Sequence, residues 1–119
     1  MSGTIPREIH GQNYLSLATY RKDGTVVQTP VWFAEDGDKV YVMTRSDSGK
    51  YKRIRNKPEV RVAPCTIRGK ITGPEFPARA RILPPSDWTV PRKAIRTKYW
   101  LARFSLFSSK LNVYLEITF

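Results

Sequence analysis

The chain has 119 residues, of which 40% are hydrophobic and 26% charged. This composition is typical of a single globular domain, here residues 1–119, and excludes a disordered, collagen-like or coiled-coil chain. The single cysteine, Cys65, excludes an internal disulfide and a cysteine-based zinc site.

The net charge of +11 predicts an anionic partner, whether a nucleic acid, an anionic membrane, or a phosphorylated or carboxylated small molecule. Residues 45–70 contain nine basic and two acidic side chains, and residues 79–110 contain eight and one. No apolar run approaches the ~18 residues of a membrane span. The first residues also lack the apolar segment of a secretory signal. We therefore expect a cytoplasmic protein.

Short runs of alternating apolar and polar residues, separated by turn residues, predict six β-strands. Gly24 suits a hairpin turn after the first strand, because glycine readily adopts positive φ. Pro30 lacks a backbone donor and so indicates an edge strand, a bulge or a strand end. The predicted strands are Tyr14–Tyr20, Thr25–Ala34, Lys39–Thr44, Glu59–Cys65, Ala78–Leu83 and Asn112–Thr118.

Two short helices are predicted between these strands. Ser48 can cap a helix that runs to about Asn56, and Pro58 ends it. A second helix is predicted from about Pro91 to Arg103, with the proline in the first turn. Six mostly antiparallel strands with two short helices predict a mainly β (α+β) fold, a small β-barrel with helical plugs.

The sequence contains few of the motifs that carry chemistry. It has no G-x-G-x-x-G, and Gly49-Lys50 and Gly69-Lys70 lack the earlier glycine of a P-loop. His10 is the only histidine, so a histidine-based metal cage is excluded and no metal site is predicted. If the protein is an enzyme, a cofactor is expected to supply the reactivity.

The strongest candidate site is the run Thr44 to Arg55, where a strand end leads into a capped helix. Backbone amides and the positive end of the helix dipole favour an anion there. Lys50 and Arg53 fall on one helical face, and with Arg45 they could bind one phosphate. The alternative interpretation is a solvated basic helix without a ligand.

Two further features have both a structural and a ligand-binding interpretation. The run Gln28-Thr29-Pro30-Val31-Trp32 could support a flat ring, or it could be a core strand with an edge proline. The aromatic residues Trp88, Tyr99 and Trp100 could stack on a ligand, although such residues more often fill a core or an interface.

Three segments together resemble a known family. They are YLSLATYRKDGTVVQTPVWF from Tyr14, KVYVMTRSDSGKYKRIRNKPEVRVAPC from Lys39 and RGKITG from Arg68. From Tyr14 to Phe119 the chain resembles the pyridoxamine 5′-phosphate oxidase-like split β-barrel superfamily. Within it, the chain is similar to the actinobacterial flavin/deazaflavin-dependent oxidoreductases of the B group, which use coenzyme F420. The resemblance implies a six-stranded antiparallel split barrel that forms a homodimer with cofactor sites at the subunit interface.

The resemblance also assigns residues to an F420 or FMN site. The ring would lie along Gln28, Thr29, Pro30 and Val31, and the phosphate at Thr44, Arg45, Ser48, Gly49, Lys50 and Arg53. The same pocket would be lined by Pro64 and Cys65. The substrate or partner-subunit side would include Trp88, Lys98, Tyr99 and Trp100, where Trp100 replaces a glycine of the family's K-Y-G segment.

The function expected on this basis is hydride transfer between reduced F420 and a small organic substrate. F420 carries an oligoglutamate tail beyond its phosphate, which suits a strongly basic chain better than FMN does. The open alternatives are an FMN oxidoreductase of the same fold, a non-catalytic F420-binding protein, and a small nucleic-acid-binding barrel. A nucleic-acid partner is not expected, because the aromatic and basic residues do not interleave on one β face.

Overall fold

The computed structural model describes residues 3–99 and 110–119. Within these ranges the chain forms one curled antiparallel sheet with two helices and a 3₁₀ turn at Pro85–Asp87. The strand order across the sheet is β2-β1-β5-β6-β7-β4-β3. The strands are β1 (Tyr14–Tyr20), β2 (Val26–Trp32), β3 (Ala34–Asp36), β4 (Lys39–Arg45), β5 (Glu59–Pro64), β6 (Phe76–Ile82) and β7 (Asn112–Thr118). The helices are α1 (Gly49–Asn56) and α2 (Thr89–Lys98).

The alternating pattern of β1 places its apolar side chains on one face of the sheet. Leu15 and Leu17 are fully buried, and β1 pairs with β2 on one side and β5 on the other. The predicted turn between β1 and β2 is confirmed, with Gly24 at a φ of 89° and the Thr25 amide donating to Asp23 Oδ1 at 2.9 Å. Pro30 lies on β2 at the sheet edge, which is one of the positions that its missing donor allows.

The mainly β fold is confirmed, but the described residues form seven strands where the sequence predicted six. The predicted strand Thr25–Ala34 divides at Phe33 into β2, which pairs with β1, and β3, which pairs with β4. The backbone of Phe33 is bonded to the hydroxyl of Tyr99 on both its amide and its carbonyl. The ladder breaks there because a distant side chain takes the bonds that a neighbouring strand would otherwise make.

The sheet is packed on both faces. The inner face surrounds a core that includes Leu15, Phe33 and Leu115, closed at one end by Ile54 of α1. A second, smaller cluster lies on the other face, where α2 packs through Ile95 against Tyr114. The two helices therefore cover different parts of the sheet, and β2 lies near both.

The start of α1 follows from its capping residue, whereas α2 begins without a side-chain cap. Ser48 caps α1, as the sequence predicted, because its Oγ accepts the Tyr51 amide at 3.2 Å. Helix α2 begins at Thr89, two residues before the predicted start, with Pro91 in its first turn. Its predicted end at Arg103 lies outside the described residues. Across the ranges that the structure describes, no helix is long and apolar enough to cross a membrane.

Candidate functional site

Two predicted ring residues, Pro30 and Val31, meet one predicted phosphate residue, Lys50, at a cleft beside the edge strand β2. We call this the β2 cleft. It has a volume of about 260 Å³ and combines apolar side chains with a single charged one. Its lining comes from β2 (Pro30, Val31 and Trp32), β4 (Met43), α1 (Lys50) and α2 (Ile95).

Lys50 is the charged residue of the β2 cleft. Its side chain is half-buried, and burial, followed by the nearby charge of Arg53, lowers the pKa of its ammonium group. Within the described part of the chain, neither Lys50 nor Arg53 forms an ion pair with a carboxylate. Burial and the charge of Arg21 likewise lower the pKa of Arg53. Arg53 therefore lies near two other cations, Lys50 and Arg21, and Arg21 in turn lies near the carboxylate of Asp23.

The guanidinium of Arg53 is held at the start of α1. Its Nε donates to Thr19 Oγ1 at 2.6 Å, and Thr19 is fully buried. Its Nη1 lies so close to Gly49 that a Cβ added there would be 2.6 Å away. The guanidinium of Arg53 therefore occupies the space that a side chain at position 49 would need. The backbone N–H groups of Gly49 and Lys50, in the first turn of α1, have no acceptor within the helix.

Thr44 and Ser48 stabilise this turn. The Ser48 Oγ, already bonded to the Tyr51 amide, lies 3.1 Å from the hydroxyl of Thr44. Arg45 lies further out, where its guanidinium donates to both carboxylate oxygens of Asp47 at 3.0 Å. This contact lowers the pKa of Asp47. The structure therefore brings together Lys50 and Arg53 but directs Arg45 to its own acidic partner.

The four predicted ring residues alternate between environments along β2. Pro30 and Val31 line the β2 cleft. Gln28 lies at a separate concavity of about 390 Å³ with Ala18 and Arg61. The Oγ1 of Thr29 is buried and has no hydrogen-bond partner among the described residues. An unpaired buried hydroxyl is costly, so an atom from outside the described chain is its expected partner.

Pro64 and Cys65 do not line the β2 cleft. Pro64 ends β5 and pairs with Leu15 of β1, the strand that separates β5 from β2. Cys65 forms an isolated bridge with Ile71, and burial raises the pKa of its thiol. The two residues support the cleft only indirectly, through a hairpin whose Gly69 lies against Pro30.

The aromatic residues predicted for the substrate side are packed against the protein. Tyr99 stacks on Trp32 with ring centroids 4.5 Å apart, and its hydroxyl accepts the Phe33 amide at 3.1 Å. Burial raises the pKa of Tyr99 to about 12. Trp88 donates to the Leu83 carbonyl at 3.0 Å and packs edge-on against Tyr114. Trp100 lies outside the described residues.

Lys98 lies at a different and larger concavity, a groove of about 630 Å³ between α2 and β3. Its ammonium group donates to the Gln12 carbonyl and lies 3.9 Å from the centroid of the Phe33 ring. Glu35 lines the same groove and is paired with His10. Size alone would favour this groove, but its lining includes the carboxylates of Glu35 and Asp36, whereas the lining of the β2 cleft has a lysine and no carboxylate. The β2 cleft is therefore the stronger anion site.

Sequence reasoning missed three contributors to the site. Met43 and Ile95 line the cleft because β4 and α2 approach the edge of β2, a tertiary relationship that no local pattern shows. Thr19 was also missed, although a polar residue on the apolar face of β1, after Leu15 and Leu17, is a readable signal. In the structure it is the residue that holds Arg53.

Comparison with known proteins agrees with this architecture. The chain has the fold of a split β-barrel. A family model described as pyridoxamine 5′-phosphate oxidase matches residues 1–105, and the chain belongs to this family. Among curated protein sequences, none matches the chain significantly.

Several solved structures share the fold. The haem storage protein HutZ from Vibrio cholerae superposes with a TM-score of 0.75 at 12% identity, covering 91% of this chain and 82% of HutZ. A haem-binding protein from Mycobacterium smegmatis superposes with a TM-score of 0.69 at 11% identity. The superposition covers 92% of this chain and 47% of that protein, so this chain spans about half its length. The conserved hypothetical protein Rv2991 from Mycobacterium tuberculosis superposes with a TM-score of 0.71 at 18% identity, covering 92% of this chain and 74% of Rv2991. Such low identities establish the fold alone.

Proposed function

We propose that this protein is an F420-dependent oxidoreductase, which binds the phosphate of the deazaflavin at the start of α1 and its ring along β2. The observation that carries the proposal is the pair Lys50 and Arg53. Lys50 lines the β2 cleft and lies near the charge of Arg53, and neither cation forms an ion pair with a carboxylate among the described residues. Placing two like charges together is unfavourable until an anion binds between them.

Each group of residues has a separate task in this proposal. Lys50, Arg53 and the first amides of α1 bind the phosphate through charge-assisted hydrogen bonds. Pro30 and Trp32 provide an apolar wall that orients a flat ring and excludes water, and the unpaired Thr29 hydroxyl is a candidate donor to a ring heteroatom. When bound, F420 supplies a hydride for transfer to a small organic substrate.

The charge distribution favours F420 over FMN. Arg21 lies close enough to Arg53 to affect its pKa, so positive charge extends beyond the phosphate site toward the β1–β2 turn. FMN would use only the phosphate site, whereas the acidic tail of F420 could also use the additional charge. FMN remains the alternative cofactor for the same cleft.

Haem is a competing ligand because two structural neighbours are described as haem-binding or haem storage proteins. Haem iron is usually held by histidine, cysteine, methionine or tyrosine. Here His10 is bonded to Glu35 and Cys65 is buried in its bridge to Ile71. Met43 lines the β2 cleft but has no histidine beside it. These placements favour a phosphorylated ring over haem.

A nucleic-acid partner finds less support. Single-strand binding uses exposed aromatic rings as stacking platforms. In this protein Trp32 is stacked on Tyr99, and Trp88 is packed against Tyr114.

The proposal includes a homodimer that completes the site. The β2 cleft is smaller than the roughly 300–1,000 Å³ of typical small-molecule sites, so further walls are needed. A second copy placed against the edge of the sheet that β2 forms would supply them.

Fluorescence titration of F420 with the protein tests the proposal. We expect saturable binding at micromolar protein that weakens as salt rises, because charge contributes to it. FMN and haem are titrated in parallel, and tighter binding of either would replace F420 as the assigned ligand. Reoxidation of reduced F420 with candidate acceptors then separates an enzyme from a non-catalytic binding protein.

A further inference from the structure

We propose that Thr19 is a positioning residue for the anion site, because its hydroxyl fixes the guanidinium of Arg53 in the orientation that binds phosphate. The inference rests on the proposed function for the identity of the ligand. Its physical basis is the 2.6 Å contact between Arg53 Nε and Thr19 Oγ1.

Thr19 is well placed for this task. It is fully buried near the end of β1, and its Oγ1 also lies 3.5 Å from the carbonyl of Val27 on β2, to which it donates. The hydroxyl therefore has both roles assigned, as a donor to the sheet and as an acceptor from the helix. A side chain fixed to the sheet in this way is a rigid anchor for a long and otherwise mobile arginine.

The contact also determines which donors Arg53 presents. A guanidinium has five N–H donors in one plane, and binding Nε–H to Thr19 leaves the two Nη groups for an anion. Nη1 lies at Gly49, in the first turn of α1, where the backbone N–H groups have no acceptor within the helix. Two parallel donors match the oxygens of a phosphate. Thr19 thus selects the orientation in which Arg53 and the helix N-terminus face the same anion.

Thr19→Val keeps the size of the side chain but removes the hydroxyl, and Thr19→Ser restores the hydroxyl on a smaller side chain. We expect Thr19→Val to weaken F420 binding about tenfold, the scale of a lost hydrogen bond to a charged group. The affinity for the same deazaflavin lacking its phosphate and tail should stay unchanged, and Thr19→Ser should regain most of the F420 affinity. A purely structural role for Thr19 would weaken both ligands alike.

A second measurement tests Thr19 independently of the cofactor. In the ¹⁵N-labelled protein, titration with inorganic phosphate should shift the Nε–H signal of Arg53 in wild type and in Thr19→Ser. In Thr19→Val the free protein should already show a displaced Nε–H signal, with weaker phosphate binding. If wild type binds phosphate in this way but not F420, the proposed function fails and the role of Thr19 stands. Equal phosphate affinity in wild type and Thr19→Val, or no phosphate response at Arg53 in wild type, would overturn the role of Thr19.

Discussion

Arg45 and Asp47 form a bidentate pair, with two N–H···O bonds of 3.0 Å inside the turn that leads into α1. The guanidinium is therefore engaged although its position in the sequence suggests a phosphate ligand. We expect Arg45→Ala to change the affinity for F420 by no more than about twofold, because an exposed and paired charge contributes little. Fluorescence titration of the variant measures this. A loss of tenfold or more would show that Arg45 leaves Asp47 when the ligand binds.

Lys50 and Arg53 are expected to carry the binding energy instead. Replacing either by alanine should weaken F420 binding by roughly 1.5–3 kcal/mol, the range for a hydrogen bond to a charged group. Lys52→Ala is the matched control, since Lys52 is an exposed lysine of the same helix. Unchanged affinity in both test variants, or an equal loss in Lys52→Ala, would contradict the assigned phosphate site.

Gly49→Ala separates ligand binding from stability. The new Cβ would lie 2.6 Å from Nη1 of Arg53, so the guanidinium has to move away from position 49. Alanine is a better helix former than glycine, by up to about 1 kcal/mol, and the φ of Gly49 is not positive. We therefore expect an unchanged or higher melting temperature together with weaker F420 binding. Weaker binding accompanied by a lower melting temperature would indicate general damage to α1 instead.

Some elements of the fold could be predicted from local sequence, and others could not. Strands β1 and β7 and helix α1 match the predicted bounds, because alternation and the Ser48 cap are local signals. The break at Phe33 could not be predicted, since it depends on a tyrosine 66 residues away.

The candidate site could likewise be predicted from the sequence only in part. Helical spacing placed Lys50 and Arg53 on one face, and the structure brings them together. The contact of Arg53 with Thr19 crosses 34 residues and depends on how α1 docks on the sheet, which no spacing rule encodes.

Tyr99 should make stability depend on pH in the alkaline range. Burial raises its pKa from the ordinary 10.0 to about 12, so between these values the unfolded chain ionises at this residue while the folded chain does not. The contribution of Tyr99 to the free energy of unfolding is therefore complete below about pH 10 and is lost as the pH rises toward 12. Tyr99→Phe removes this contribution and also the bonds to Phe33.

Chemical denaturation at pH 8 and pH 11 measures the effect. We expect Tyr99→Phe to be less stable than wild type at pH 8, because the Phe33 backbone loses a partner. The difference between the two proteins should shrink at pH 11. Since the other tyrosines and lysines titrate alike in both proteins, the difference isolates Tyr99, and a constant difference would contradict the assigned burial.

The location of the anion site is tested most directly by mapping amide chemical shifts in the ¹⁵N-labelled protein as F420 is added. We predict the largest shifts at Gly49, Lys50 and Arg53 and, on β2, at Gln28, Thr29 and Val31. Shifts confined to the groove between α2 and β3, or no saturable shifts at all, would contradict the account.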